Sequence, residues 1–373
     1  MKFVTLNPRT KNVNLVKDVG LIPYYLHTLF NVDATVVTYK NDETYPYLDN
    51  EVKGLKAEFI KKRFGRQIDG MFYVLKNAKK IDVLNVYHLN TASLLAQVAY
   101  KLINKKGKIY LKLDMSREGL RTVLLKDLRG LIKRLDIKLA DVVSCETGKI
   151  LEVLKENFGD KIIYITNGCL IPDECRISDG ERLVADLVNS ENTILTVANF
   201  GTWEKASDTL LNAFVKSAGN HDYRLKVIGS VAEEFKPFIE KIFIDNPELK
   251  NRIEFLGEIK DRKALYDEYK RAKIFTLPSR QESFGIVLVE AAYEGCYLIT
   301  SEAAAAGYDV SDNGKYGTIV KTDDVDELAN AFTKICNDDS FDFKSHAMNI
   351  SKYASEVFDW EKIVTKLYDE LKK

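Results

Sequence analysis

The feature that most constrains this fold is the regular alternation of short β-branched runs with helical patterns along almost the whole chain. Each run is short, apolar and bounded by turn residues, which is typical of strands covered on both faces of a parallel sheet. Strands that alternate with helices form βαβ units, so the pattern predicts a doubly wound α/β fold. The predicted strands of the first half are Lys2–Asn7, Ala34–Tyr39, Val83–His88, Lys108–Asp114, Val142–Cys145 and Ile162–Thr166. Those of the second half are Thr193–Asn199, Arg224–Gly229, Ile253–Leu256, Ile274–Leu277, Tyr297–Thr300 and Thr318–Val320.

Two sets of strands predict two similar α/β domains in tandem, which agrees with a length of 373 residues. We expect an N-terminal domain over residues 1–170 and a second domain over residues 190–355. The boundary is expected in the stretch Gly168–Asn192, which contains Pro and Gly and lacks clear periodicity. Ligands of open α/β sheets bind beyond the carboxyl ends of the strands, so a tandem pair predicts a site in the cleft between the domains.

The charge balance separates the two halves of the chain. Lys+Arg and Asp+Glu are both 55, but residues 1–180 carry 30 basic and 21 acidic residues, which leaves 25 and 34 for the rest. A net charge of zero argues against a protein that binds nucleic acid through bulk charge. A basic half and an acidic half indicate two modules with different partners.

The sequence shows neither the pattern of a membrane span nor that of a signal peptide. The longest charge-free run, Val83–Tyr100, is interrupted by polar residues, whereas a membrane span needs about 20 apolar ones. The N-terminus lacks the apolar core of a signal peptide. The five cysteines contain no Cys-x-x-Cys pair, which is typical of a reducing cytoplasm and not of a disulfide framework or a zinc site. We therefore expect a cytoplasmic protein.

The most informative stretch is Leu277–Glu290, which has the pattern of a strand, a turn and a helix. Ser283 is the predicted N-cap, with Phe284 and Gly285 opening the helix. The unpaired amides and the positive dipole end at such a terminus form an anion site. Glu290, about two turns later, is placed to accept hydrogen bonds from vicinal hydroxyls; the alternative is an ordinary solvated helix residue.

This stretch also resembles a known family. Its pattern Pro-Ser-x-x-Glu-x-Phe-Gly-x-x-x-x-Glu-Ala is similar to the Glu-x7-Glu signature of glycosyltransferase family 4, whose members are retaining enzymes with the GT-B fold of two Rossmann-like domains. The resemblance implies that Glu282 contacts the donor sugar and Glu290 the ribose of the nucleotide. It also implies that the amides of Phe284 and Gly285 meet the donor diphosphate.

Other segments resemble the family in the same order. Thr196–Phe214 is similar to a strand–loop–helix that carries an Arg and a Lys for the diphosphate; Lys205 falls on the Lys, but Asn199 stands where the Arg is usual. The segment Ile253–Glu258, which contains Gly257, resembles one that borders the base. Cleavage of a sugar–diphosphate bond develops negative charge on the leaving phosphate, which an ammonium group and helix amides stabilise without a metal.

A metal-dependent alternative rests on Asp324 and Asp326, an Asp-x-Asp pair. The pair precedes Glu327-Leu328-Ala329, so helix capping is the preferred interpretation. We expect no metal site.

The N-terminal domain is expected to hold the acceptor and the remaining catalytic groups. Asp114 ends a predicted strand and would orient a sugar hydroxyl or the acceptor nucleophile, or else cap the helix after Met115. Leu113 stands where the family often has a His. His88, also at a strand end, is interpreted as structural. By resemblance alone, Gly20 would approach the donor phosphates.

The family also suggests how the chain ends. Asp359-Trp360-Glu361 resembles a Trp-Glu pair that opens a last helix, here about 358–373, which packs back onto the N-terminal domain.

Two basic segments remain in the first half. Leucines from Leu120 to Leu139 are spaced as a helical stripe, which we expect to face the core. Val52–Arg66 mixes apolar and basic residues, and we interpret it as an amphipathic helix on an anionic membrane surface, where each basic residue contributes about 1 kcal/mol. The alternative is a solvated basic face. A lipid-linked acceptor, common in the family, supports the membrane interpretation by resemblance only.

These inferences predict a retaining GT-B glycosyltransferase that uses a UDP- or GDP-sugar donor and a glycan or lipid-linked acceptor in surface polysaccharide synthesis, without a metal or a further cofactor. A catalytically silent GT-B partner protein is the alternative, because Asn199 and Leu113 depart from the family pattern. A nicotinamide-dependent dehydrogenase is disfavoured, since no G-x-G-x-x-G follows an early strand.

Overall fold

A computed structural model describes residues 1–172, 175 and 191–373. The chain divides into two compact units: Met1–Leu170 with Phe358–Lys373 form the first, and Ile171–Val357 form the second. Most of the stretch Gly168–Asn192, where the boundary was expected, lies outside the described residues.

The first unit contains a sheet of seven parallel strands in the order β3-β2-β1-β4-β5-β6-β7. This order, with crossover helices between strands, is that of a doubly wound sheet. Its strands are Lys2–Leu6 (β1), Asp33–Thr38 (β2), Lys56–Phe59 (β3), Val83–Tyr87 (β4), Lys108–Leu113 (β5), Val142–Cys145 (β6) and Ile162–Tyr164 (β7). Its helices before the second unit are Asp18–Phe30 (α1), Tyr47–Asn50 (α2), Arg66–Asn77 (α3), Thr91–Ile103 (α4), Arg117–Leu124 (α5), Leu128–Leu139 (α6) and Gly148–Phe158 (α7).

The last helix of the chain, Trp360–Lys372, packs in the first unit. Trp360, Leu367 and Leu371 are buried in the same hydrophobic cluster as residues of β1, β2 and α1. The rings of Phe30 and Tyr368 stack with their centroids 3.9 Å apart. This helix therefore closes the core formed by the first 170 residues.

The second unit repeats the architecture with six parallel strands in the order β10-β9-β8-β11-β12-β13. Its strands are Glu191–Val197 (β8), Arg224–Ile228 (β9), Ile253–Gly257 (β10), Ala272–Leu277 (β11), Tyr297–Ser301 (β12) and Gly317–Val320 (β13). Its described helices are Ser207–Ser217 (α8), Lys236–Asp245 (α9), Arg262–Arg271 (α10), Ile286–Tyr293 (α11), Ala306–Val310 (α12), Val325–Cys336 (α13) and Phe343–Val357 (α14). The prediction of two doubly wound parallel sheets is confirmed.

The helical interpretation of Val52–Arg66 is wrong. Lys56–Phe59 forms edge strand β3, which pairs in parallel with β2. Val52 and Leu55 are buried in the core, whereas the side chain of Phe64 is exposed. The free edge of β2 supplies a row of backbone hydrogen bonds, and this overrides the weak helical pattern of the segment.

The expectation for the leucine stripe from Leu120 to Leu139 is also wrong. The segment forms two helices, because the backbone is extended at Leu125 and Asp127 caps α6 through the amide of Gly130. Leu128, Leu131 and Leu135 are exposed, with relative exposures of 71%, 47% and 42%. Periodicity identifies an apolar face but does not reveal what covers it.

No helix in the described parts of the chain combines the length and apolar character needed to span a bilayer.

Candidate functional site

The turn between β11 and α11 contains the motif residues. Gly285 is the N-cap of α11, with a left-handed φ of +80°, and the helix begins at Ile286. The predicted Ser283 cap is therefore wrong, because the chain enters the helix through a conformation that favours glycine. Among the described residues no side chain caps this terminus, which suits the approach of an anion to the start of the helix. A Cβ atom at position 285 would lie 3.2 Å from both Glu282 Cγ and Leu277 Cδ2.

Lys205 and Glu282 are brought together by the fold. Lys205 ends a short 3-10 turn, Trp203–Lys205, between β8 and α8, and Glu282 lies in the turn after β11. The Lys205 Nζ atom forms an ion pair with Glu282 Oε2, and the two side chains are 24% and 13% exposed. Partial burial makes this pair stronger than an open surface salt bridge, while a ligand can still reach it.

Arg280 holds these two turns together, and the sequence reasoning missed it. Its guanidinium bonds Asp208 at 2.7 Å and Asp323 at 2.6 Å, and its backbone amide donates to the carbonyl of Glu204 at 2.8 Å. The contact to Glu204 fixes the residue directly before Lys205. The signal in the sequence was a basic residue at an unassigned position of the motif.

Glu290 is buried on α11 and is not a solvated helix residue. Its Oε2 accepts a hydrogen bond of 2.9 Å from the Tyr269 hydroxyl, and its Oε1 lies 3.4 Å from an Arg262 nitrogen. Burial, together with the Glu290 carboxylate, raises the pKa of Tyr269 well above its usual range. The solvated alternative is therefore wrong, and the carboxylate is held in a fixed orientation.

The other predicted donor residues lie at the same edge of the second sheet. Asn199, Gly257 and Ser283 follow or end strands β8, β10 and β11, and the carboxyl ends of parallel strands share one edge. Asn199 is exposed, and its Oδ1 accepts from the Ser230 hydroxyl at 3.2 Å. Gly257 has a φ of +70°, and its carbonyl accepts from the amide of Gly229 at 2.8 Å.

The Asp-x-Asp pair has a structural role. Asp324 is the N-cap of α13 and accepts from the amide of Glu327 at 2.8 Å. Asp326 forms an ion pair with Lys216. The capping interpretation is confirmed. Within the part of the chain that the structure describes, no three His, Cys, Asp or Glu side chains are grouped to hold a metal ion.

In the first unit, Asp114 lies in an ionic cluster at the carboxyl end of β5. Lys112 is fully buried, and its Nζ lies 3.4 Å from Glu146 Oε2 and 3.7 Å from Asp18 Oδ2. Glu146, directly after β6, is also fully buried and accepts from Asn167 Nδ2 at 2.8 Å. The helix after Met115 is capped by Ser116 and not by Asp114, so that alternative is wrong.

The charges of this cluster do not balance. Three carboxyl groups surround one ammonium group, and Asp114 is hydrogen-bonded to Glu146. Burial raises the pKa of Glu146 well above its usual range, with Asp114 adding to the effect and Lys112 opposing it. Burial also raises the pKa of Asp18. Burial of these carboxyl groups therefore favours their protonated forms. No sequence pattern predicts this cluster, because the contact between Lys112 and Glu146 depends on the register between β5 and β6.

Gly20, Leu113 and His88 differ in exposure. Gly20 is buried in α1, where a Cβ atom would lie 2.1 Å from the carbonyl oxygen of Leu15, so close packing alone requires a glycine. Leu113 is fully buried. His88 is exposed and has a left-handed φ of +60°. A contact between Gly20 and a donor phosphate stays a prediction.

Comparison with known proteins adds to this geometry. Residues 181–357 match the family model described as glycosyl transferases group 1. The chain is 26% identical over 174 residues to an exopolysaccharide phosphotransferase of Streptomyces coelicolor. It is 30% identical over 131 residues to the lipopolysaccharide core biosynthesis mannosyltransferase LpcC of Rhizobium leguminosarum. These alignments cover 44% and 34% of this chain, but only 18% and 36% of the respective relatives.

The fold is shared over the full length with solved structures. The crystal structure of Anabaena HepE in complex with UDP is similar with a TM-score of 0.76 and 18% identity, covering 100% of both chains. At this identity the likeness concerns the fold alone. The chain thus has the GT-B fold, and its residues 181–357 match the group 1 glycosyl transferases.

Proposed function

We propose that this chain is a retaining glycosyltransferase of family 4 that transfers a hexosyl residue from a UDP- or GDP-sugar to a glycan, a glycolipid or another glycoconjugate. The observation that carries the proposal is the ion pair of Lys205 and Glu282 beside the uncapped helix terminus at Gly285. A cation, a carboxylate and helix amides at one sheet edge suit a sugar–diphosphate ligand. The similarity to proteins named for lipopolysaccharide and exopolysaccharide chemistry supports a role in surface polysaccharide synthesis.

The proposed roles follow from the charges that develop in the reaction. Lys205 and the amides at Phe284 and Gly285 stabilise the leaving diphosphate, so no metal is required. Glu282 contacts the donor sugar and Glu290 the ribose. Asn199, Gly257, Ser283 and Gly20 complete the proposed donor contacts. In the first unit, Asp114 orients a sugar hydroxyl or the acceptor nucleophile.

The test is turnover of a panel of nucleotide sugars by the full chain, with and without EDTA. We expect hydrolysis of at least one UDP- or GDP-sugar that EDTA does not abolish, and NMR should show the transferred sugar with the donor's anomeric configuration. An inverted product would contradict the retaining mechanism. Loss of turnover in EDTA with recovery on Mg²⁺ would contradict metal independence.

A catalytically silent GT-B partner protein is the second candidate. It is favoured by the exposed Asn199, which brings no positive charge to the diphosphate, and by the buried Leu113, which brings no imidazole. Tight binding of a nucleotide without turnover of any sugar in the panel would support it. Measured turnover would exclude it.

We further propose that the protein acts in the cytoplasm and contacts an anionic membrane surface through Val52–Arg66. Within this segment, Lys61, Lys62 and Arg63 are exposed beside Phe64. Replacing the three basic residues with Ser should weaken sedimentation with vesicles that contain anionic lipid. A matched variant with Ser at Leu128, Leu131 and Leu135 tests the exposed leucine face. Loss of vesicle binding in the second variant alone would move the contact to α6.

A further inference from the structure

A polar cavity lies within the first unit, and none of the predicted site residues lines it. It has a volume of about 220 Å³ and opens at the carboxyl ends of β1 and β4. Its polar lining includes Asn7, Arg9, Asn14, Arg66 and His88, and we call it the Arg9–Arg66 cavity. Polar side chains at the carboxyl edge of adjacent parallel strands are the usual setting of a ligand site in this kind of sheet.

The described lining of the Arg9–Arg66 cavity carries a positive charge. Its described lining contains two arginines and no acidic residue. Neither arginine has a carboxylate within 4.0 Å among the residues that the structure describes. The nearby carboxylate of Asp69 is occupied by the Tyr39 hydroxyl and by the amides of Arg63 and Phe64. Arg9 is exposed and Arg66 is half-buried, so an anion from solvent can reach both guanidinium groups.

The backbone around this cavity is held in place. His88 adopts a φ of +60°, and its amide donates to the carbonyl of Lys112 at 3.1 Å. Asn90 caps α4 through the amides of Ala92 and Ser93, and its Nδ2 donates to the carbonyl of His88 at 3.3 Å. A left-handed non-glycine residue at a strand end is a strained feature that often marks a binding site. The cavity is thus preorganised for its ligand.

We propose that the Arg9–Arg66 cavity binds a phosphoryl group of the acceptor, as a phosphate monoester or a diphosphate ester. Guanidinium groups donate in a planar fork that matches phosphate oxygens, and two of them balance the double charge of a phosphate better than the single charge of a carboxylate. That the bound phosphoryl group belongs to an acceptor rests on the proposed glycosyl transfer, whereas binding of the anion itself does not. The phosphoryl group can come from a lipid-linked diphosphate or from a soluble sugar phosphate.

The experiment follows the imidazole resonances of His88 by NMR in the full chain as inorganic pyrophosphate is added. The Lys205→Ala background removes the cation of the proposed donor site. Pyrophosphate should shift the His88 resonances saturably, and the double variant Arg9→Gln/Arg66→Gln should weaken this titration at least tenfold. The control Arg117→Gln/Arg121→Gln removes the same charge from exposed positions outside the cavity and should titrate as the parent does. An unchanged titration in Arg9→Gln/Arg66→Gln would overturn the proposal.

Three further probes identify the source of the group. Farnesyl diphosphate represents a lipid-linked acceptor, glucose 6-phosphate a soluble one, and glucuronate a carboxylate. A response to either phosphorylated probe supports the proposal and names its source, whereas a response to glucuronate alone contradicts it. Because the His88 signal requires no turnover, a chain that binds pyrophosphate here but uses no nucleotide sugar would refute the proposed function and leave this inference standing.

Discussion

Lys205 and Glu282 are 77 positions apart in the chain, yet their side chains form an ion pair at the carboxyl edge of the second sheet. The pair joins the turn after β8 to the turn after β11, and Arg280 fixes both turns through Asp208, Asp323 and the backbone of Glu204. Without a ligand, each charge compensates the other. A bound donor would take the Lys205 ammonium for its diphosphate and leave Glu282 for the sugar.

Replacing Lys205 with Ala should lower kcat about a hundredfold or more, because one donor to the developing phosphate charge is lost. The matched control is Lys216→Ala, which removes an exposed lysine of the same unit. Steady-state kinetics on the donor identified by the panel measure both. Wild-type turnover in Lys205→Ala would remove Lys205 from the proposed site.

Replacing Glu290 with Ala should raise the donor KM and leave kcat less affected, because hydrogen bonds to the ribose are lost in ground state and transition state alike. The truncation also leaves the Tyr269 hydroxyl and Arg262 without this carboxylate, so folding must be checked by thermal denaturation. Glu248→Ala, at an exposed position, serves as the control. Unchanged nucleotide binding in a folded variant would refute the ribose role.

Gly285→Ala should destabilise the protein by about 1–3 kcal/mol, because alanine is strained at a φ of +80°. The added methyl group would also press on Glu282, so donor affinity should fall. Gly219→Ala is the matched control, since a Cβ atom there meets nothing within 4 Å. Urea unfolding and nucleotide titration measure the two effects. Equal stability of the two variants would contradict the strain argument.

Glu146→Gln should change the alkaline limb of the pH–rate profile. Burial and Asp114 raise the pKa of Glu146, so the formation of a buried negative charge at this group is displaced to higher pH. Glutamine cannot ionise, and its amide still donates to Asp114. The variant should therefore retain turnover at alkaline pH where the wild type declines, whereas Glu146→Ala should be poorly active throughout. Identical wild-type and Gln profiles would show that Glu146 does not control Asp114.

The contribution of Asp136 to the stability of the first unit should decrease as the pH rises from about 4 to about 7. Burial raises the pKa of Asp136 to about 7, so the folded state binds this proton more tightly than the unfolded chain does. The stabilisation by protonated Asp136 is complete below the ordinary carboxyl pKa and is lost as the pH rises through the pKa of the folded state. For one proton, the free energy of unfolding changes by at most about 1.4 kcal/mol per pH unit. Denaturant unfolding from pH 4 to pH 8 should show a flatter dependence for Asp136→Asn than for the wild type. Asp245→Asn, on the exposed end of α9, should keep the wild-type slope.

The sequence predicted the elements whose signal is local. The apolar strands were found because buried parallel strands are rich in β-branched and other apolar residues. Strand β3 was missed because the edge strand Lys56–Phe59 is mostly exposed and only half apolar. The Ser283 cap failed because cap preferences do not reveal the backbone dihedral of Gly285. Exposed leucines on α6 were assigned to the core, since spacing does not show what lies opposite a helix.

In the candidate site, too, residues with a local sequence signal were predicted and those without one were not. Lys205, Glu282 and Glu290 were predicted from the resemblance to a family motif, and the fold joins the first two directly. Arg280, Glu146 and the Arg9–Arg66 cavity were missed, because each depends on segments brought together by strand order and register. Lys112 is an example, because a lysine inside a strand can be assigned to an ionic cluster only when the fold places Glu146 beside it.

The return of the last helix to the first unit has a consequence for how the protein is made. In chain connectivity the second unit is an insertion, because Trp360 to Leu371 belong to the same core as α1 and β1. The second unit has all its strands as soon as β13 has been synthesised, whereas the first must wait with part of its apolar surface uncovered until the last helix leaves the ribosome. During synthesis the unit that starts first is therefore the one that finishes last, and it is the one whose unfinished state offers apolar surface to chaperones.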